Sequence, residues 1–153
     1  MSEAAEVRKL AEEAWTRLAA LFWQRRPELL KAGAAEGLTP PHVMTLLRLR
    51  SDDPPLLGDI ARDLQCDASY ATALADRLEE RGLATRRPAK QDRRARELVL
   101  TDAGRAAQAR IRAVLRQPPA GLLELSEDEL RVLARIVRRL SPEGGPADWL
   151  EQR

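Results

Sequence analysis

The stretch that decides the fold is DRRARELVLTDAG, residues 92–104. Its arginine-rich start gives way to an alternating apolar segment, and Thr101 then offers a side chain suited to capping a helix. This order predicts the tip and return strand of a β-hairpin over about 83–100, followed directly by a new helix.

A helix-turn-helix pattern lies just upstream of this hairpin. Two short helices are predicted near 57–64 and 67–81, with Asp67 capping the second and Gly82 ending it. Helices that cross at a steep angle need a small residue at their closest approach and apolar residues at fixed offsets. These requirements are met by Ile60, Ala61, Leu64, Cys66, Ala71, Leu74 and Leu78. Gln65 occupies the turn position where glycine is common.

The second of these helices has two distinct faces. Its buried side is predicted to hold Ala71, Leu74, Ala75 and Leu78. At about 100° per residue, the opposite side carries Ser69, Thr72, Ala73, Asp76, Arg77 and Glu80, with Tyr70 on the flank. In a major groove, Ser69, Tyr70 and Thr72 would meet base edges or phosphates. A solvated helix face is the alternative, and Asp76 and Glu80 count against tight DNA contact.

The hairpin following the helix-turn-helix favours the DNA-binding interpretation. Its basic residues are Arg86, Arg87, Lys90, Arg93, Arg94 and Arg96, and Asp92 is the one acid among them. Arg94 is predicted to enter a minor groove, where the narrow groove enhances the negative potential, and Arg93 or Arg86 to contact phosphate. Arg77 would reach a phosphate or support this wing. Asp92 would orient an arginine, while Leu98 and Leu100 would fasten the hairpin to the helices.

Helical periods also mark both ends of the chain. A helical period runs from about Ser2 to Arg26 and predicts the first helix. Pro27 disturbs this helix, and Gly33 and Gly37 end the region. Thr39 and Pro40 begin the next helix. Thr101 opens a long helix that stops at Pro118 and Pro119. A final helix over 126–140 starts with a capping box, Ser126 with Glu129.

Size and composition set the protein class. The chain has 153 residues, of which 44% are hydrophobic and 33% charged, typical of one soluble domain. One cysteine and one histidine provide neither a disulfide framework nor an ordinary zinc site. We find no glycine-rich phosphate loop and no nucleophile with a nearby histidine, so we predict no enzyme and no cofactor. Without a secretory signal or an apolar run of about 20 residues, we expect a cytoplasmic protein with no membrane partner.

These residues together resemble the MarR family of bacterial transcriptional regulators. The likeness lies in the recognition-helix exit RLEERGL, residues 77–83, and in the wing signature of residues 92–104. It extends over about residues 5–140. It implies a mainly α fold with a small β-hairpin wing, and a homodimer that grips a pseudo-palindromic duplex and represses transcription until a small ligand binds. Ala73 departs from the larger polar or basic residue common in the family.

The apolar stripes of the terminal helices support a homodimer independently, since they flank a small module that already fills its own core. We therefore treat residues 1–153 as a single domain. Residues 1–37 and 102–153 supply dimerisation helices, and residues 38–101 form the winged helix-turn-helix lobe. Two recognition helices in such a dimer would read half-sites about 10 bp apart on double-stranded DNA.

A pocket for a small effector is expected between the dimerisation helices and the DNA-binding lobe. Candidate lining residues are Trp15, Phe22, Trp23, His42 and Met44. Core packing or a dimer interface would explain the same aromatic residues. The leading hypothesis is a repressor released by an aromatic or amphipathic ligand.

Two alternatives remain open at this point. One is a winged-helix protein that binds DNA without a ligand response. The other is a redox-responsive regulator that acts through Cys66. The peroxide-sensing branch of the resembled family carries its reactive cysteine in the N-terminal helix, where this chain has none.

Overall fold

Seven helices and one antiparallel hairpin make up the part of the chain that the computed structural model describes, residues 3–89, 92 and 94–141. In chain order the elements are α1 (Glu3–Ala35), α2 (Pro40–Arg48), α3 (Leu57–Asp63), α4 (Ala68–Glu80), β1 (Ala84–Pro88), β2 (Arg96–Leu100), α5 (Asp102–Arg116), α6 (Ala120–Leu123) and α7 (Glu127–Leu140). The predicted mainly α architecture with a hairpin wing is confirmed. The short helix α6 was not predicted.

Helix α1 corrects the prediction that the first helix ends near Arg26. It continues through Pro27 to Ala35. Proline removes one backbone hydrogen bond, but Leu29 and Ala32 beyond it pack against the core, and this packing keeps the helix intact. The turn that follows the helix contains Gly37, whose φ of +69° places it in the left-handed region. Leu38 N–H then donates to Gly33 O at 2.9 Å, as in a Schellman motif.

The predicted caps are confirmed at three later helices. Asp67 accepts from Tyr70 N–H at the start of α4, and Thr101 accepts from Gly104 N–H at the start of α5. Ser126 with Glu129 forms the capping box of α7. These local hydrogen bonds fix where the elements begin.

The core lies in the middle of the chain, where α2 to α5 enclose one face of the hairpin. Its largest fully buried side chains are Leu46, Leu49, Ile60, Leu74, Leu78, Leu98 and Ile111, with Thr45 among them. Leu98 pairs with Arg86 and Leu100 with Ala84, and both leucines are buried, as predicted. Leu98 N–H also donates to Pro55 O at 3.0 Å, so the hairpin is tied to the segment before α3.

The ends of the chain contribute little to this core. Helix α7 has no buried residue, and its exposed apolar side chains are Leu130, Val132, Ile136, Val137 and Leu140. The exposed apolar side chains of α1 are Val7, Leu10, Trp15, Leu18, Leu21, Phe22 and Trp23. No described helix is both long and apolar enough to cross a membrane.

The turn of the helix-turn-helix has the backbone conformation that favours glycine. Gln65 adopts a φ of +51°, which is positive at no other described non-glycine residue. A side chain there costs about 1–2 kcal/mol relative to the right-handed region. Gln65 thus adopts the left-handed backbone conformation that glycine would adopt at this position without strain.

We therefore expect Gln65→Gly to raise the free energy of unfolding by about 1 kcal/mol, because glycine removes this steric cost. Urea unfolding followed by circular dichroism would measure it. Gln65→Ala keeps the Cβ atom and should leave the stability near that of the wild type. A destabilised glycine variant would contradict this account of the turn.

Candidate nucleic-acid interface

The N-terminal turn of α4 presents three polar side chains to solvent. Ser69, Tyr70 and Thr72 are all exposed, and Tyr70 retains 46% of its accessible surface. Asp67 organises this turn by accepting from Ser69 Oγ at 2.6 Å and from Tyr70 N–H at 2.7 Å. The same two hydrogen bonds, that of Ser69 first, lower the pKa of Asp67 below its usual range. Thr72 Oγ1 donates to Ala68 O at 2.8 Å and still has lone pairs with which to accept.

The remainder of α4 follows the predicted division into two faces. The residues predicted to be buried, Ala71, Leu74, Ala75 and Leu78, are buried. Ala73, Asp76, Arg77 and Glu80 are exposed on the other side. The face that could enter a groove is therefore free of core contacts.

Arg77 contacts a loop and not the wing. Its Nη2 donates to Gly37 O at 3.4 Å, and its Nη1 lies 3.2 Å from Glu80 Oε2. The structure thus ties the last turn of α4 to the loop between α1 and α2. This contact differs from the predicted support of the wing.

Arg86 is directed towards α4. Its Nη1 contacts Asp76 Oδ1 at 2.7 Å and also pairs with Glu79, while its Nη2 donates to Thr72 O at 2.9 Å. Its backbone N–H donates to Glu79 Oε1 at 2.7 Å. With 21% of its side chain accessible, the guanidinium fastens the hairpin to the recognition helix. The predicted contact of Arg86 with a phosphate stays a prediction, and Arg93 lies outside the described residues.

The sequence did not lead us to predict that Asp76 and Glu79 would hold Arg86 against α4. Asp76 was weighed as a residue unfavourable to DNA contact, whereas it neutralises part of the Arg86 charge. Their three-residue spacing places both on one side of α4, next to the hairpin that begins at Ala84. This spacing was the feature of the sequence that could have indicated their contact with the hairpin.

We expect Arg86→Ala to lower the free energy of unfolding by about 2 kcal/mol, because it removes hydrogen bonds between charged groups and leaves two carboxylates side by side. Chemical denaturation would measure the loss. Arg96→Ala removes an exposed arginine of the same hairpin and serves as the control. An Arg86→Ala protein as stable as the control would show that these contacts do not hold the wing.

The tip of the wing presents Arg94 to solvent. Asp92 Oδ1 accepts from the Arg94 backbone N–H at 2.9 Å, and Ala89 N–H donates to Ala95 O at 3.0 Å. Asp92 therefore shapes the turn from which the Arg94 side chain extends. Nearer the base of the hairpin, Arg87 pairs with the buried carboxylate of Glu97.

Two of the predicted effector residues line different cavities. Phe22 lines a space of about 190 Å³ between α1 and α5, whereas Met44 lines a separate one of about 40 Å³. Trp23 packs edge-on against Phe22, with ring centroids 6.1 Å apart. Trp15 is 71% exposed and lines neither space.

His42 has a structural role at the start of α2. Its Nδ1 accepts from Thr39 N–H at 3.4 Å and lies 2.6 Å from Thr39 Oγ1, so the ring acts as half of a capping box. Partial burial lowers the pKa of His42 below its usual value, and the charge of Arg77 lowers it further. A neutral ring preserves the lone pair that the cap uses.

Cys66 lies in the turn of the helix-turn-helix. It is partly buried and packs against the core, and its backbone N–H donates to Ala61 O at 2.9 Å. Within the described ranges, no group of three or more potential ligands could hold a metal ion.

Comparison with known proteins agrees with this geometry. The MarR family model matches residues 38–95. The chain is 32% identical to the HTH-type transcriptional repressor MdtR of Bacillus subtilis (strain 168). The aligned stretch of 125 residues covers 81% of each protein.

Solved structures show the same fold. The YusO protein from Bacillus subtilis is 30% identical, with a TM-score of 0.67 over 87% of this chain and 95% of that one. A DNA complex of S. aureus MepR is 21% identical, with a TM-score of 0.55 over 84% of this chain and 99% of that one. The chain therefore belongs to the MarR family and is a DNA-binding transcriptional regulator with a winged helix-turn-helix.

Proposed function

We propose that the protein is a homodimeric repressor that binds a pseudo-palindromic operator. The main support for a dimer comes from α7. This capped helix of 14 residues has an apolar face, yet none of its residues is buried. Helix α1 leaves a second row of apolar side chains exposed. The same surfaces of a second copy would cover both, which is the self-complementary contact of a two-fold dimer.

The dimer presents two copies of the lobe formed by residues 38–101. In each copy the exposed turn of α4 enters a major groove with Ser69, Tyr70 and Thr72, and Arg94 reaches an adjacent minor groove. Arg93 is assigned to a phosphate. Arg77 and Arg86 act indirectly, since their contacts hold α4 and the wing in place.

Repression is favoured by the relative MdtR, which is named a transcriptional repressor. Selection of duplexes from a random pool with the purified protein would provide the operator. The expected product is a pseudo-palindrome with half-sites about 10 bp apart. A promoter carrying this sequence should then lose transcription in vitro when the protein is added. Enrichment of no sequence, or transcription that rises, would overturn the proposal.

We assign effector binding to the cavity that Phe22 lines. Leu29, Leu115 and Pro119 supply its apolar walls, and Arg25 and Arg26 supply positive charge, which suits an aromatic acid. The cavity lies where α1 meets α5, so an occupant would act on the dimerisation helices.

Titration with a panel of aromatic acids should quench tryptophan fluorescence, since Trp23 adjoins Phe22. The same ligands should weaken operator binding. Phe22→Ala should lose both responses and retain operator affinity. No response across the panel would favour a regulator without an effector. Operator release by peroxide that disappears in Cys66→Ser would instead support the redox alternative.

A further inference from the structure

The loop between α1 and α2 joins two helices that belong to different parts of the protein. Glu36 Oε1 and Oε2 accept from Arg110 Nε and Nη2 of α5 at 2.7 and 3.0 Å. The main-chain carbonyl of Glu36 accepts from Arg81 Nε at 3.1 Å. The next carbonyl, that of Gly37, accepts from Arg77 Nη2 at 3.4 Å. We call Glu36 and Gly37 the corner.

The backbone of the corner is fixed by its own conformation. Gly37 follows α1 with a φ of +69°, and the hydrogen bond from Leu38 to Gly33 closes the turn. A Cβ atom on Gly37 would lie 2.6 Å from Arg81 Cζ, so the guanidinium lies directly against the glycine. The position of Arg81 thus depends on the shape of the corner.

The contact with α5 is the most specific of these three contacts. Arg110 approaches the carboxylate with two parallel N–H groups, a geometry that fixes orientation as well as distance. Only 16% of the Glu36 side chain is accessible. Hydrogen bonding from Arg110 also keeps the pKa of Glu36 below its usual range, so the carboxylate is charged at neutral pH.

Arg77 and Arg81 belong to the end of the recognition helix. Arg77 lies in the last turn of α4, and Arg81 is its C-cap. Three arginines from α4 and α5 therefore meet the same two residues. A shift of the corner relative to α5 would move the two carbonyls that accept from Arg77 and Arg81 of the recognition helix.

We propose that Glu36 is a positioning residue for operator binding. Its carboxylate fixes the corner to α5, and the corner carbonyls fix the recognition helix, so the pair Glu36–Arg110 sets the spacing of the two recognition helices in the dimer. The proposal rests on the proposed dimeric function. It concerns two residues that contact neither DNA nor an effector in this account.

The test uses Glu36→Gln, Arg110→Gln and the double variant in the full-length protein. Glutamine keeps the approximate shape at position 36 and removes the charge. We expect each single variant to bind the operator roughly 3- to 30-fold more weakly per folded dimer. The double variant should be no worse than the singles, because the pair acts as a unit. Affinity for scrambled DNA should stay within about twofold of wild type.

Glu12→Gln provides a matched control, because it breaks an exposed glutamate–arginine pair on α1. It should leave operator affinity unchanged. Unfolding measured in parallel separates positioning from stability. Singles that lose stability but bind the operator as tightly as wild type would overturn the proposal, as would additive losses in the double variant. If the wild type itself neither dimerises nor prefers its operator, the proposed function fails before the variants are compared.

Discussion

A protein carrying Ile136→Glu and Leu140→Glu is expected to be a folded monomer that has lost operator binding. Both side chains are exposed in the isolated subunit, so the two substitutions do not alter the core of the DNA-binding lobe. In the dimer they would be covered, and placing two carboxylates there costs several kcal/mol per charge. A monomer can bind only one half-site at a time, so operator binding should weaken by at least about 100-fold. Analytical ultracentrifugation and operator titration would measure the two effects.

Arg138→Glu is the control for this experiment. It changes the net charge by the same two units, and its position is nearly opposite to those of Ile136 and Leu140 around α7. It should remain dimeric. A double variant that stays dimeric, or a monomer that binds the operator normally, would show that the apolar face of α7 is not the interface.

Arg94→Ala is expected to reduce operator affinity by about 1–3 kcal/mol for each of the two subunits, or roughly 5- to 150-fold per contact. Its backbone is held in the turn by Asp92, and its exposed side chain projects from the tip of the wing. Losing one minor-groove contact in each subunit lowers the number of released counterions by about two, so the magnitude of the slope of log affinity against log salt should fall by about two. Fluorescence anisotropy over a salt series would provide both values.

Arg94→Lys should recover part of the loss, because lysine keeps the charge but lacks the planar guanidinium. Arg8→Ala removes an equal charge from an exposed position on α1 and should leave the salt slope unchanged. If Arg94→Ala and Arg8→Ala changed operator affinity and its salt dependence equally, Arg94 would make no specific contact in the groove.

The order of the elements was predictable because interactions between residues close in sequence determine where each helix begins. Asp67, Thr101 and Ser126 each satisfy backbone donors at the start of a helix, and such caps depend on only a few neighbouring residues. The burial of Leu98 and Leu100 followed from the alternation along a strand. These features need no knowledge of distant parts of the chain.

The features that local rules did not supply depend on tertiary contacts. Pro27 marks a helix end by local rules, yet Leu29 and Ala32 pack beyond it and the helix continues. Arg86 belongs to a basic run, and only the pairing of the hairpin brings it beside Asp76. The apolar stripe does not reveal which cavity each residue lines, since the positions of Phe22 and Met44 in separate cavities depend on how α1 crosses its neighbours.

The most direct test of a dimeric, sequence-specific regulator is the affinity for the selected operator and for scrambled DNA at two salt concentrations. We predict that the operator binds at least about 10³-fold more tightly than the scrambled duplex, with affinity for both falling as salt rises. Equal affinities with the same steep salt dependence would mean that phosphates alone hold the protein on DNA. That result would contradict the account.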